Sequence, residues 1–325
     1  MKSSSMRLLV AVAAMLASYS AFADSSFSSV VAFGDSLSDN GNYYRLVDKL
    51  TPLTPQDGQP PLPYFFGRYS NGPVAVELLA AELELPLHDY AVGGATSGLT
   101  NEDPRFPRSG VLGQVQDYIA SNEVLDGEAL YVVWGGANDF LGATNLGSPS
   151  VAQAVIADAI NNLTQSIGLL YTHGARHFLV PNLPDLGLIP LNQGAQAQGA
   201  TYLSMTFNQA FAAALQNLGQ QLRYANIRTV DVAALLENVA ASPASYNFQN
   251  VTDACVSDPT YSCVLSSFNG GPASGFLFWD AVHPTASAHA LLANQFAASV
   301  ASGSGHKPPE HDHDKDWLTR VREKH

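Results

Sequence analysis

Four short segments carry side chains that chemistry can use. Phe33-Gly34-Asp35-Ser36-Leu37-Ser38-Asp39 places a serine on the turn leaving a β-branched run. A serine hydroxyl becomes a nucleophile only beside a base, and Gly-Asp-Ser equally makes an ordinary turn or helix cap. Asp280-Ala281-Val282-His283-Pro284, near the other end of the chain, offers such a base. An imidazole three residues after a carboxylate can be oriented by it, as acyl transfer requires. A capping Asp beside an incidental His, one of nine, gives the same spelling. Trp134-Gly135-Gly136-Ala137-Asn138-Asp139-Phe140 and Ala91-Val92-Gly93-Gly94-Ala95-Thr96-Ser97 are glycine-rich and also follow apolar runs. Glycine lets the backbone approach a ligand closely, and an Asn amide is a neutral donor to a developing oxyanion. Either segment is also simple turn chemistry. A phosphate loop is excluded for both, because no Gly-Lys-Ser/Thr follows.

The elements that must position these segments alternate along the chain. Val30–Phe33, Asp89–Val92, Tyr131–Trp134, Phe178–Pro181 and Ile227–Val230 read as buried strands. Val74–Leu83, Val111–Ile119, Val151–Leu170, Tyr202–Leu222 and Ala286–Val300 carry helical periodicity between and after them. Strand-helix alternation of this kind predicts a parallel sheet with helices on both faces. Polar sites in such sheets gather beyond the carboxyl ends of the strands, where three of the four segments fall. Thr51–Pro63 is proline-rich and predicts an extended surface loop. Asn238–Gly275 reads as a second long connection.

Composition narrows the class. The 325 residues carry 28 Asp and Glu against 15 Lys and Arg, a net charge of −13, which argues against a nucleic-acid partner. Met1–Ala23 has a basic start, a short apolar run and an Ala21-Phe22-Ala23 cleavage site, the pattern of a secretory signal cut after Ala23. The chain is therefore expected to be secreted or periplasmic, with residues 24–300 forming one domain and a polar, disordered tail over 301–325. No apolar stretch after the leader is long enough to span a bilayer. Cys255 and Cys263, the only cysteines, read in an exported chain as one local disulfide. His173 and His177 are four apart, but Gly174 interrupts the helix there and no HExxH is present, so a capping or surface role is preferred to a metal site. His306, His311 and His313 sit in the charged tail, read as solvated. No cofactor or metal is expected.

Taken together, the four segments resemble the GDSL esterase/lipase family, the SGNH hydrolases, in the branch of secreted bacterial lipases, phospholipases and choline esterases. Gly34-Asp35-Ser36-Leu37-Ser38 matches the first block, Gly94 the second, Gly136-Ala137-Asn138-Asp139 the third and Asp280-x-x-His283 the last, over about Val30 to Val300. Gly67-Arg68-Tyr69-Ser70-Asn71-Gly72 is similar to a segment of the lipase branch. The resemblance implies a flavodoxin-like three-layer α/β/α sandwich on a mostly parallel five-stranded sheet. It implies Ser36 as nucleophile, His283 as general base and then acid, and Asp280 as the group fixing the His tautomer. It implies an oxyanion hole of the Ser36 N–H, the Gly94 N–H and the Asn138 amide, with Gly93 adjoining Gly94 so that the donor can slip by one. Where family members often carry an aromatic residue, this chain has Val282. The absence of G-x-S-x-G argues against the α/β-hydrolase branch.

The expected activity is hydrolysis of lipid or short-chain carboxylic esters through an acyl-enzyme. A carbohydrate acetylesterase is the runner-up, and an inactive binding module on the same fold is the alternative from another class. Tyr64, Phe65, Trp134 and Phe140 are candidates to line the substrate pocket, since such pockets are mostly apolar.

Overall fold

The computed structural model describes residues 27–50, 60–141, 148–257, 263–264 and 275–301. The leader, residues 51–59 of the proline-rich segment, and His306, His311 and His313 lie outside the described residues.

Five strands form one parallel sheet: β1 (Val30–Gly34), β2 (Leu87–Asp89), β3 (Leu130–Trp134), β4 (His177–Pro181) and β5 (Asn226–Val230), in the order β2-β1-β3-β4-β5. Every residue of β1 and β3 is buried, which explains their unbroken apolar runs. The edge strands β2 and β5 are only partly covered. β2 lies earlier than Asp89–Val92, yet that segment still runs along β1: the Tyr90 and Val92 N–H groups donate to the carbonyls of Ala32 and Gly34 at 2.8 and 3.1 Å.

Helices cover the sheet as α1 (Asn42–Leu50), α2 (Ala75–Glu82), α3 (Val111–Ser121), α4 (Ala137–Leu141), α5 (Pro149–Thr172), α6 (Ala197–Gln221), α7 (Val232–Ala241) and α8 (Ala286–Ala301). In one group α2 packs on α8; in the other α5 packs on both α3 and α6. The result is a three-layer α/β/α sandwich whose core is centred on Phe33, Tyr131, Trp134, Phe178 and Phe296.

Several elements depart from the reading of the sequence. Helix α1 occupies a stretch without an assigned element, and α7 fills the start of the supposed long connection after Asn238. β6 (Asn250–Ala254) and β7 (Phe276–Phe278) pair in parallel as a separate small sheet within that connection. Cys255 and Cys263 are joined by a disulfide beside it, their Cα atoms 5.5 Å apart.

The strand order reverses direction between β1 and β3. Crevices at the carboxyl ends of the strands flanking such a switch point are where ligands bind in open α/β sheets. Ser36 lies two residues past β1 and Asn138 four past β3.

Candidate active site

The turn after β1 is built by Asp35. Its carbonyl accepts the Ser38 and Asp39 N–H groups at 3.1 and 3.0 Å, and its Oδ1 accepts the Leu37 N–H at 3.0 Å. These bonds leave the Ser36 N–H with no acceptor among the described residues. Burial pushes the Asp35 carboxyl up to about 6, against the pull of the Leu37 N–H.

The turn after β7 is built in the same manner by Asp280. Its Oδ1 accepts the N–H groups of Val282 and His283 at 2.8 and 2.7 Å. The loop is closed by the Trp279 N–H on the His283 carbonyl at 2.7 Å. The other carboxylate oxygen, Oδ2, lies 2.7 Å from His283 Nδ1. His283 Nε2 lies 2.8 Å from Ser36 Oγ. Hydroxyl, imidazole and carboxylate therefore form one hydrogen-bonded line between residues 247 apart in sequence. With Asp280 accepting from Nδ1–H, the lone pair of Nε2 is turned to the serine hydroxyl.

Asp280 has a fourth partner: the Tyr64 hydroxyl donates to Oδ2 at 2.6 Å. Burial pushes the Asp280 carboxyl up, but the His283 charge and hydrogen bond, the Tyr64 hydroxyl and the His283 N–H together outweigh it and hold it at about 2. Tyr64 in turn is pushed above the ordinary phenol range by burial and by the Asp280 charge.

Asn138, in the first turn of α4, donates from Nδ2 to the Ala95 carbonyl at 2.9 Å. An amide nitrogen carries two hydrogens, so one remains for a ligand. Its neighbour Asp139 accepts from the Ser97 N–H and Oγ at 2.8 and 2.7 Å, tying α4 to the same glycine-rich loop. In that loop the Gly93 N–H donates to Asp39 Oδ2 at 2.7 Å, whereas the Gly94 N–H has no acceptor among the described residues. Of the two adjacent glycines, Gly94 is the one with an amide to offer.

Ser36 and Asn138 both line a crevice of about 510 Å³, its open mouth counted. The remainder of its wall is largely aliphatic, with Leu141, Ile189, Val232, Leu236, Val282 and Leu292. Of the four aromatic candidates only Trp134 lines it. Tyr64 is engaged with Asp280 and packs edge-on to Trp279, because a buried phenol needs a partner for its hydroxyl. Phe65 packs edge-on to Phe66, and Phe140 is buried against Phe207 in the core.

The segment Tyr64–Asn71 does more than its spelling suggested. Besides Tyr64 on Asp280, the Tyr69 ring lies 4.9 Å from that of His283, Ser70 Oγ donates to the Pro284 carbonyl at 2.9 Å, and Asn71 Oδ1 accepts the Ala286 N–H at 2.8 Å. Among the described residues no group of three or more His, Cys, Asp or Glu side chains is placed to hold a metal ion, and no helix is long and apolar enough to cross a membrane.

Comparison with known proteins identifies the family. The thermolabile hemolysin of Vibrio parahaemolyticus serotype O3:K6 is 30% identical over 285 residues, 83% of this chain and 63% of the relative. The phosphatidylcholine-sterol acyltransferase of Aeromonas hydrophila is 28% identical over 321 residues, 85% of this chain and 91% of the relative. Esterase EstA of Pseudomonas aeruginosa is 32% identical over 315 residues, 84% of this chain, but the chain spans only 46% of that relative. The profile described as GDSL-like Lipase/Acylhydrolase matches residues 30–296, from the first strand to the last helix, and the chain belongs to that family.

Proposed function

We propose that the chain is an exported serine esterase that cleaves carboxylic esters of lipids or of short-chain acids through an acyl-enzyme on Ser36. The observation that carries the reading is the line Ser36 Oγ, His283 Nε2, His283 Nδ1, Asp280 Oδ2, with contacts of 2.8 and 2.7 Å.

Each step follows from that line. Ser36 Oγ attacks the ester carbonyl carbon as His283 Nε2 takes the hydroxyl proton. Asp280, held ionised near pKa 2, stabilises the imidazolium and keeps its Nδ1–H in place. The carbonyl oxygen gains negative charge and is met by the Ser36 N–H, the Gly94 N–H and the free hydrogen of Asn138 Nδ2. Preorganised donors of this kind supply the largest share of such catalysis. Collapse of the tetrahedral intermediate breaks the bond to the alcohol oxygen, which leaves with the proton from His283. The acyl group remains on Ser36 until water, deprotonated by the same imidazole, reverses the sequence.

The aliphatic crevice beside Ser36 supports an alkyl acyl group over acetyl, and hence a lipid ester over an acetylated sugar. Similarity to a phosphatidylcholine-sterol acyltransferase supports phospholipid esters within that class. Export is supported by the Met1–Ala23 leader pattern and by the Cys255–Cys263 disulfide.

The test is covalent labelling by a fluorophosphonate, with Ser36→Ala as control, followed by an ester series containing phosphatidylcholine, acetylcholine and an acetylated sugar. Labelling that persists in Ser36→Ala removes the mechanism. Preference for the sugar removes the substrate class and leaves the mechanism standing.

A further inference from the structure

A glycine pair is a poor place to hang a catalytic amide. Each glycine populates positive and negative φ with similar ease, so the peptide between Gly93 and Gly94 can turn over and carry its N–H away from the site. Here Gly94 sits at φ +76 and the peptide is held from both sides.

The Gly93 carbonyl accepts from Asn101 Nδ2 at 2.9 Å. Asn101 is 8% exposed, and its Oδ1 accepts the Asp103 N–H at 2.8 Å, which fixes the orientation of the amide. In a planar trans peptide the C=O and the following N–H point in opposite directions. Anchoring the Gly93 carbonyl on Asn101 therefore aims the Gly94 N–H the other way, where no acceptor among the described residues meets it. The preceding peptide is fixed by the Gly93 N–H on Asp39 Oδ2 at 2.7 Å. Asp39 is fully buried and has no ion-pair partner among the described residues. Its remaining bonds are to the N–H groups of Gly41, Asn42 and Tyr43, at 2.7, 2.5 and 3.0 Å, at the start of α1. Asp39 thus joins the chain that carries Ser36 to the loop that carries Gly94. The following carbonyl, that of Gly94, accepts the Glu102 N–H at 2.9 Å and closes the loop.

We propose that Asn101 and Asp39 are positioning residues that lock the Gly93–Gly94 peptide with the Gly94 N–H facing the oxyanion formed at Ser36. Neither touches substrate; both act through the one amide that lies between them. The proposal rests on the esterase reading above.

The experiment compares Asn101→Ala and Asn101→Asp with the wild-type chain on a soluble p-nitrophenyl ester. Active sites are counted by complete reaction with a fluorophosphonate, so that kcat refers to competent enzyme only. Asn101→Ala removes the anchor. Asn101→Asp keeps the shape and the Asp103 contact but turns a carboxylate oxygen against the Gly93 carbonyl. Both are expected to lower kcat per titrated site by about 10–100-fold, short of the ~10²–10³ for deleting a donor outright, with KM changed less than about threefold, as for an interaction made only in the transition state. Affinity for an alkyl boronic acid, whose tetrahedral adduct on Ser36 is an anion, falls in step with kcat. Should both Asn101 variants fail to fold, Asp39→Asn carries the same expectation. The proposal is overturned if kcat per titrated site stays within threefold of wild type. It is equally overturned if the loss lies in KM while boronate affinity is unchanged. A wild-type chain without labelling or ester turnover overturns the esterase reading itself, a separate result.

Discussion

Replacing Asn138 by alanine separates its two hydrogen bonds into two measurable effects. One hydrogen of Nδ2 is committed to the Ala95 carbonyl at 2.9 Å. The other is the third donor to the oxyanion, beside the Ser36 and Gly94 amides. Removing one such donor costs about 2.7–4 kcal/mol of transition-state stabilisation, or 10²–10³ in kcat. Because the ground-state carbonyl carries little charge, KM is expected to stay within about threefold. The Ala95 carbonyl loses its amide partner, which costs about 1–3 kcal/mol if it stays dry and less if water reaches it from the crevice. At roughly 2–4 °C per kcal/mol for a domain approaching this size, Tm falls by about 2–12 °C, toward the lower end where water reaches the carbonyl. The assay is steady-state turnover of a soluble ester with titrated active sites, alongside a thermal melt. A kcat within threefold of wild type in a fully titrated variant refutes the oxyanion role. So does a loss confined to KM, which would make Asn138 a binding residue for the ground state. Asn138→Asp sharpens the contrast, since a carboxylate facing the oxyanion repels it and turnover should fall below that of the alanine variant.

Tyr64→Phe removes the hydroxyl 2.6 Å from Asp280, but two backbone N–H groups and the His283 ring still hold that carboxylate. Turnover is expected to fall about 3–10-fold, as for partial loss of a charged hydrogen bond worth ~1.5–3 kcal/mol; a loss above about 10³ in steady-state kinetics would place Tyr64 on the substrate instead. Asp35 and Asp39 are both raised by burial from 3.8 to about 6. An acid whose folded pKa is raised favours the fold below its unfolded value and loses that contribution as pH rises through about 6. Thermal melts should therefore show Tm rising by several degrees from pH 7.5 to pH 5, on the order of 1 kcal/mol per group. Asp280 works in the opposite sense, since its folded pKa is lowered to about 2 and its contribution disappears as pH falls from 3.8 toward that value; a Tm that falls steadily between pH 7.5 and 5 would contradict the burial of both groups. Gly34→Ala puts a Cβ 2.5 Å from the Trp134 carbonyl of the neighbouring strand, with no flexible side chain to yield. A loss of at least about 1–3 kcal/mol in denaturant unfolding is expected, and an unchanged midpoint would mean β1 and β3 can move apart.

Much of the scaffold was legible because burial on both faces forces an unbroken apolar run, and β1, β3 and β4 show one. The segments at the ends of β1 and β3 were legible because glycine closing or directly following such a run marks a turn at the sheet edge. Helix α1 was not, since Asn42–Leu50 is short and largely polar, and its first turn is capped from Asp39. Helix α7 begins two residues after β5, with Asp231 as its cap, and merged in the sequence with the connection beyond it. The contacts that orient the site are harder to see in one dimension. Tyr64 and Asp280 are 216 residues apart, and neither spacing nor periodicity links them. Tyr64 and Phe65 looked like pocket lining because an aromatic cluster has no other one-dimensional signature. Asn101 is only eight residues from Gly93, but a single Asn in a polar loop carries no sign of which carbonyl it will meet.

The division between what was legible and what was not has a physical basis. Ser36 and Asn138 are placed by neighbouring strands, so the register of β1 against β3, pairing Gly34 with Trp134, sets their separation directly. Asp280 and His283 have no such strand. They hang between the short β7 and α8, outside the five-stranded sheet. What brings that turn to Ser36 is α8 packing on α2, together with the segment just before α2. Tyr64, Tyr69, Ser70 and Asn71 contact Asp280, His283, Pro284 and Ala286 in the same order along the chain. Four contacts in parallel resist both translation and rotation of the turn, which a single hydrogen bond does not. Positioning to within a fraction of an ångström is what a base needs to serve a nucleophile. The second half of the site is therefore set by side chains clamping a loop, and such clamps leave no period in the sequence.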